Sequence, residues 1–263
     1  MILLSIETTG PISSVAINNN GQITEIKNED SYSHLKQLMP MVERILSETH
    51  TEPETLDAIA VSQGPGSFTG IRIGMVSAKG LAQVWNKPII EVPTLATFAF
   101  RDYDWEDTTK TYLYCPVLDA KMHQVYAAAY EKRYKDAIVP GNAYDINDFL
   151  QLVKTNCEEK DYQVVFFGDG VRVYEEQIKN SGLNFFIAPQ KDDCQTAWGC
   201  AVLGAELFND DKLKNCFDAQ PEYFRLPEAE RKFKTKMLNL RKAEEKDLER
   251  IISIEKLSFA FDA

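Results

Sequence analysis

The sequence predicts an α/β protein built as two related layers, each a mixed sheet flanked by helices. Three features lead there. Each half of the chain opens with consecutive antiparallel strands and then alternates strands with helices. An acidic, aromatic loop, RDYDWEDTTK (101–110), separates the two runs. No low-complexity segment interrupts either of them. The expected parts are 1–104, 105–226 and a linker with a short tail, 227–263, and domains of roughly 100 residues suit such a chain.

The elements follow in order. LLSIET (3–8) is apolar and rich in β-formers, and SSVAIN (13–18) follows a Gly-Pro turn. NNNG (18–21) is a hairpin turn, because Asn and Gly tolerate positive φ. QITEIK (22–27) alternates with the period of a half-buried strand. In SYSHLKQLMPMVERILSE (31–48), Leu35, Leu38, Met39, Val42, Ile45 and Leu46 recur at helical spacing. Ser31 or Ser33 can cap that helix, and Pro40 is expected to kink it. LDAIAV (56–61) is a short buried strand, followed by a glycine-rich turn and a helix from about Ile71 to Trp85. KPIIEVP and TLATFAF then read as a strand and a short helix. In the second half, TYLYCPVLDA (111–120) and HQVYAAAYE (123–131) read as strands joined by a tight Lys121-Met122 turn. DINDFLQLVK, VRVYEEQIKN and CQTAWGCAVLGAELFN read as helices, with QVVFFGDG and FFIAP as the strands between them.

Composition narrows the function. The net charge of -11 repels a phosphate polymer unless a local patch reverses it. Arg225, Arg231, Lys232, Lys234, Lys236, Arg241 and Lys242 form such a basic run, which reads first as a solvated linker. No apolar run approaches the ~20 residues a membrane span needs. MILLSIETTG has no basic leader or small-residue cleavage site and reads as a strand, so the expected location is the cytoplasm. The five cysteines lack C-x-x-C spacing and read as reduced thiols.

The stretch SQGPGSFTGIRIG (62–74) is the most distinctive in the chain. A glycine turn between a strand and a helix often seats a phosphate. Here Gly70 is followed by Ile71, so the P-loop pattern fails, and Gly64-x-Gly66-x-x-x-Gly70 is one residue too long for a dinucleotide fingerprint. Gly70, Gly74 and Ala78 stack on one face of the helix, with Ser77 and Gly80 widening the strip and Leu81 and Val84 continuing it. Small residues let another helix approach, from this chain or from a second one. Gly64 and Gly66 shape the turn itself.

Catalytic constellations are thin. His34, His50 and His123 lack H-x-x-x-H spacing, which argues against a zinc peptidase. There is no G-x-S-x-G elbow. Asp119 and Lys121 read as a turn ion pair. Glu7-Thr8-Thr9-Gly10 resembles a degraded form of the Asp-x-Gly-Thr phosphate turn of the actin and sugar-kinase architecture. With Gly168-Asp169-Gly170 it is the only support for an ATP-dependent phosphotransferase. No residue is assigned to catalysis or to metal.

Several of these segments together resemble the TsaB (YeaZ) family of tRNA threonylcarbamoyladenosine biosynthesis proteins. They are the opening strand with ETT, the SHLKQLMPMVERIL helix, LDAIAVSQGPGSFTGIRIGMVSAKGLA, VPTLATFAF, VLDAKMHQVYAAAY and the late PEYFR. The resemblance covers about residues 1–226. It implies the duplicated actin-like, RNase-H-like fold and a non-catalytic subunit. That subunit would pair with a TsaD-like transferase and a TsaE-like ATPase, which would carry ATP and metal. It would meet tRNA only through the complex, and a homodimer through the same surface stays open. Carried over, the partner surface comprises His34, Leu38, Met39, Gly70, Ile71, Gly74, Ser77, Ala78 and Leu81. The tail MLNLRKAEEKDLERIISIEKLSFAFDA (237–263) lies outside it and is similar to the start of a GNAT-type acetyltransferase.

Overall fold

The first strand run folds as expected into a five-stranded mixed sheet. Its elements are β1 (Ile2–Glu7), β2 (Ser13–Asn19), β3 (Gln22–Asn28), α1 (His34–Glu48), β4 (Ala58–Gly64), α2 (Phe68–Trp85) and β5 (Ile89–Pro93). The order is β3-β2-β1-β4-β5. β1 pairs antiparallel with β2 and parallel with β4, so a hairpin meander and a helix-crossed parallel pair share one central strand. The structure is a computed structural model, and it describes residues 1–28, 34–107, 109–157, 160–225 and 247.

The second sheet repeats the first. It is built from β6 (Thr111–Asp119), β7 (Gln124–Glu131), β8 (Val139–Asp145), α3 (Ile146–Cys157), β9 (Tyr162–Phe167), α4 (Gly170–Val173), α5 (Glu175–Lys179) and β10 (Phe185–Ile187). Its order, β10-β9-β6-β7-β8, matches the first sheet strand for strand, with β6 in the place of β1. The pairing senses match too: β6 is antiparallel to β7 and parallel to β9. The duplicated α/β fold expected from the strand order is therefore present.

Three large cores among the described residues hold the halves, with a small fourth of Ala16, Ala197 and Ala201 between β2 and the last described helix. Leu4, Ile6, Ile59 and Val61 on one face of the first sheet meet Leu38, Ile45, Met75 and Ala78 of α1 and α2. The outer face of the second sheet is covered by α3 and its neighbours through Phe149, Val153 and Ile178. Between the sheets lies the aromatic core, with Phe98, Phe100, Tyr114 and Phe167 buried against Leu3, Ala60 and Val92. Each of these fully buried large side chains contributes about 1.5–3 kcal/mol, so the contact between the sheets is as much a core as either outer face.

Several differences from expectation have local causes. β8, VPGNAYD, went unread because Pro140 and Gly141 signal a turn; it is an edge strand, where a missing N–H costs no ladder bond. α2 starts at Phe68, three residues early, because the Ser67 side chain caps the helix by accepting the Gly70 N–H at 3.3 Å. The expected helix 171–180 is broken into α4 and α5. The β6–β7 turn is longer than two residues, with Lys121, Met122 and His123 all left-handed.

The loop at 101–110 does separate the two sheets, but it does not partition the helices. The last described helix, α6 (Ala197–Asn209), lies within the span 105–226 assigned to the second half, yet it packs on β1, β2 and β5 of the first sheet. Its inward face is mostly small (Ala197, Gly199, Cys200, Ala201, Gly204) around Leu203, and a Cβ on Gly204 would stand 2.9 Å from the Ala60 methyl. Residues 1–225 form one unit by contact. The basic run beyond Arg225 and the acetyltransferase-like segment lie outside the described residues, Asp247 apart.

Candidate functional site

The glycine turn packs against its own chain. Thr8, at the end of β1, inserts between two turns of α2: its hydroxyl donates to the Gly70 carbonyl at 2.8 Å. A Cβ on Gly70 would stand 2.0 Å from the Thr8 carbonyl oxygen, and one on Gly74 would stand 2.4 Å from the Thr8 Oγ1. Thr9 does the same one step earlier: its carbonyl accepts the Ser67 N–H at 2.7 Å and lies 2.6 Å from where a Gly66 Cβ would be. Gly64 has φ +122 and faces the Glu222 carbonyl, 2.3 Å from its absent Cβ. The pattern of glycines is thus the imprint of Thr8, Thr9 and Glu222.

That packing corrects the reading of the small-residue stripe. Gly70 and Gly74 do not offer a seam to another subunit, because Thr8 and Val61 of the same chain fill it, and Ala78 is buried in the core of the first sheet. Leu38 is buried in that core, and Ile71 is buried beside Gly64. Ser77 and Leu81 are half-buried, Met39 is exposed, and the side chain of His34 lies outside the described set. What α1 and α2 turn outward includes Met39, Arg72, Val76 and Val84, the two valines being 69% and 80% exposed. The helix pair was legible, but its outer face was not, because a stripe of glycine and alanine looks alike whether its neighbour is inside or outside the chain.

Where the two sheets' turns converge lies a cleft of about 630 Å³. The Thr8–Pro11 turn and the first turn of α2 form one wall; Asp119, Lys121 and Asp169 stand on the other. Its charged groups are already engaged. The Lys121 ammonium meets the Asp119 carboxylate at 2.5 Å, and Asp169 accepts the Asp119 N–H at 2.9 Å. Asp193 accepts the Gly168 N–H at 2.7 Å and pairs with Arg172 at 3.1 Å. Burial pushes the Asp169 and Asp193 carboxyls above the usual aspartate range. Such a wall favours neutral or donor-bearing groups over polyphosphate.

Glu7, the acid of the degraded phosphate turn, is not part of the cleft wall. It is fully buried, and its Oε1 accepts the Thr9 N–H at 2.5 Å and the Thr9 hydroxyl at 2.6 Å. Its Oε2 has no well-formed hydrogen bond, the nearby Ser62 hydroxyl falling short of one. Burial raises its pKa above the ordinary 4.5 despite those donors. Glu7 therefore ties its own turn rather than reaching toward a ligand. His50 and His123 are exposed on separate halves. Among the described residues no group of acidic, histidine and cysteine side chains is arranged to hold a metal ion, and no helix is long and apolar enough to cross a membrane.

The family model and the curated relatives point to proteins of tRNA threonylcarbamoyladenosine formation, and a solved structure shows the same fold. The model of the TsaD family, tRNA N6-adenosine threonylcarbamoyltransferase, matches residues 26–233. A "tRNA threonylcarbamoyladenosine biosynthesis protein TsaB" from Bacillus subtilis is 30% identical over 239 residues, covering 89% of this chain and 98% of that protein. The protein of the same name from Escherichia coli is 29% identical, covering 86% of this chain and 95% of its own length. Among solved structures, a Pseudomonas aeruginosa protein described as similar to peptidase YEAZ superposes with a TM-score of 0.71 at 22% identity. That match covers 85% of this chain and 99% of the other.

Proposed function

The chain belongs to the TsaB family of tRNA threonylcarbamoyladenosine biosynthesis proteins, and from that premise we propose that it serves as an accessory subunit with no chemistry of its own. In this reading it pairs with a TsaD-like transferase through the outward faces of α1 and α2, and a TsaE-like ATPase joins them. Nucleotide and metal belong to those partners, and tRNA is met through the complex, in the cytoplasm. The observation that carries the non-catalytic reading is the cleft. Its lysine and its carboxylates are spent on one another and on backbone amides, and the Glu7 carboxyl is sealed beneath Thr9. The name peptidase in one structural relative's description gains no support from the histidines.

The docking face is supported by Val76 and Val84, large apolar side chains held in water on a helix whose other side is core. The test is co-purification with the TsaD-like partner and reconstituted tRNA modification. Val76→Glu with Val84→Glu alters no buried contact, so the chain stays folded while partner capture and modification fall together. Full modification in the absence of this chain, or undiminished capture by the double variant, overturns the proposal. A Tm rise of several degrees with ATP-Mg²⁺ for the isolated chain would instead favour the phosphotransferase alternative.

A further inference from the structure

The last described segment crosses from one half to the other at the mouth of the cleft. On the first half, the Glu222 N–H donates to the Gln63 carbonyl at 2.8 Å and its carboxylate accepts the Gln63 amide at 3.1 Å. The Tyr223 ring lies 4.8 Å from Phe68, and its hydroxyl accepts Arg72 Nε at 3.1 Å. Arg72 also meets the Phe68 ring, its guanidinium 3.9 Å from the ring centre. On the second half, the Phe224 ring packs on the bare backbone of Gly141, where a Cβ would stand 3.0 Å away, and meets Tyr126 edge-on at 6.1 Å. Arg225 donates to the carbonyls of Ala120 and, at 3.3 Å, Lys121, and approaches the Met122 sulfur at 3.8 Å.

The two anchor points are not ordinary surface. Phe68 and Tyr126 belong to opposite walls of the cleft. The carbonyls held by Arg225 belong to the turn in which Lys121, Met122 and His123 have φ of 61, 57 and 62°. Three successive left-handed residues with side chains are rare and persist only where their surroundings hold them. The guanidinium supplies such a hold: its Nη1 donates to the Ala120 carbonyl and, more loosely, to the Lys121 carbonyl, which also accepts the Gln124 N–H at 3.2 Å.

We propose that residues 222–225 form a tie that couples the outer face of α2, through Arg72, to the strained β6–β7 turn across the cleft, fixing how far the two halves can part. The tie is short, each residue has a separate seat, and two glycines in different halves, Gly64 and Gly141, are needed to let it lie flat. Whatever disturbs Arg72 is therefore felt at the turn, and whatever disturbs the turn is felt at the start of α2. Such coupling is reciprocal by linkage. It does not depend on the accessory-subunit reading.

The test is hydrogen exchange on the full chain. Arg72→Ala, at an exposed position, lowers protection of the amides at 120–126 by about five-fold, the amount that one ordinary hydrogen bond allows. Arg225→Ala lowers protection at 68–73 by a similar factor. Tyr223→Phe, which keeps the ring and removes the hydroxyl, gives the same pattern at smaller size. It is the variant to read should Arg225→Ala loosen the core strands as well. Exchange that changes only on the half carrying each substitution overturns the tie.

Discussion

Gly70→Ala and Gly80→Ala place the same methyl group in the same helix, and the packing of α2 gives them opposite signs. Helix propensity alone favours each by about 1 kcal/mol. At Gly80 a Cβ would meet nothing within 4 Å, so that gain stands. At Gly70 it would lie 2.0 Å from the Thr8 carbonyl oxygen, whereas ordinary contact begins at 3.4 Å. The obstacle is backbone, so the β1–β2 turn must retreat rather than a side chain swing aside. Retreat stretches the Thr8–Gly70 hydrogen bond of 2.8 Å and the Ser67–Thr9 bond of 2.7 Å. Overpacking of this kind costs about 1–3 kcal/mol, and a weakened hydrogen bond adds about 1. Set against the propensity gain, Gly70→Ala is destabilising by about 1–3 kcal/mol, while Gly80→Ala stabilises by about 1. Urea unfolding at fixed pH, read from the midpoints with the slope unchanged, measures both. Equal midpoints for the two variants would refute the claim that Thr8 occupies the glycine notch.

Two further outcomes follow from buried charge. Glu7 has a folded pKa above its unfolded value, so the native state holds a proton that the unfolded state has released. Its contribution is present below the ordinary value of 4.5 and is lost as pH rises through the elevated folded pKa. Glu7→Gln, which keeps the acceptor for Thr9, removes that decline and is the more stable form at neutral pH, checked by unfolding midpoints across pH. Asp192 holds Arg101 at 3.4 Å and accepts the Trp105 indole N–H at 3.0 Å, both pair members being about nine-tenths buried. Asp192→Ala leaves the guanidinium uncompensated and costs about 3–5 kcal/mol. Adding Arg101→Met recovers part of the loss in the same unfolding assay.

The alternation of strands and helices was enough to read the duplication, because each half carries its own period-two hairpin and its own amphipathic helices. The glycine run was equally visible, but its cause was not. Gly64, Gly66, Gly70 and Gly74 answer to Thr8, Thr9 and Glu222, residues that no spacing rule connects to them. The ETT at the end of the first strand and the PEYFR near the end of the second half were both in view as separate signatures. Only three-dimensional closure shows that they are the two objects the glycines make room for. The outward residues were illegible for a related reason: Val84 follows the glycine strip in spacing yet is 80% exposed, and nothing in the spacing marks Arg72 or Val76 as outward. β8 was missed because its proline and glycine obey the rule for an edge strand rather than the rule for a turn.

Because α6 is made last of the described elements yet seals the sheet made first, the protein cannot finish its opening half as it leaves the ribosome. The inner faces of β1, β2 and β5 stay uncovered until Ala197–Asn209 has emerged, and a nascent chain halted between Val92 and that helix presents Leu3, Ala60 and Val92 to chaperones or to other nascent chains. Synthesis order thus makes the two halves one folding event, and a gene split between them would yield a first fragment that is sticky rather than native.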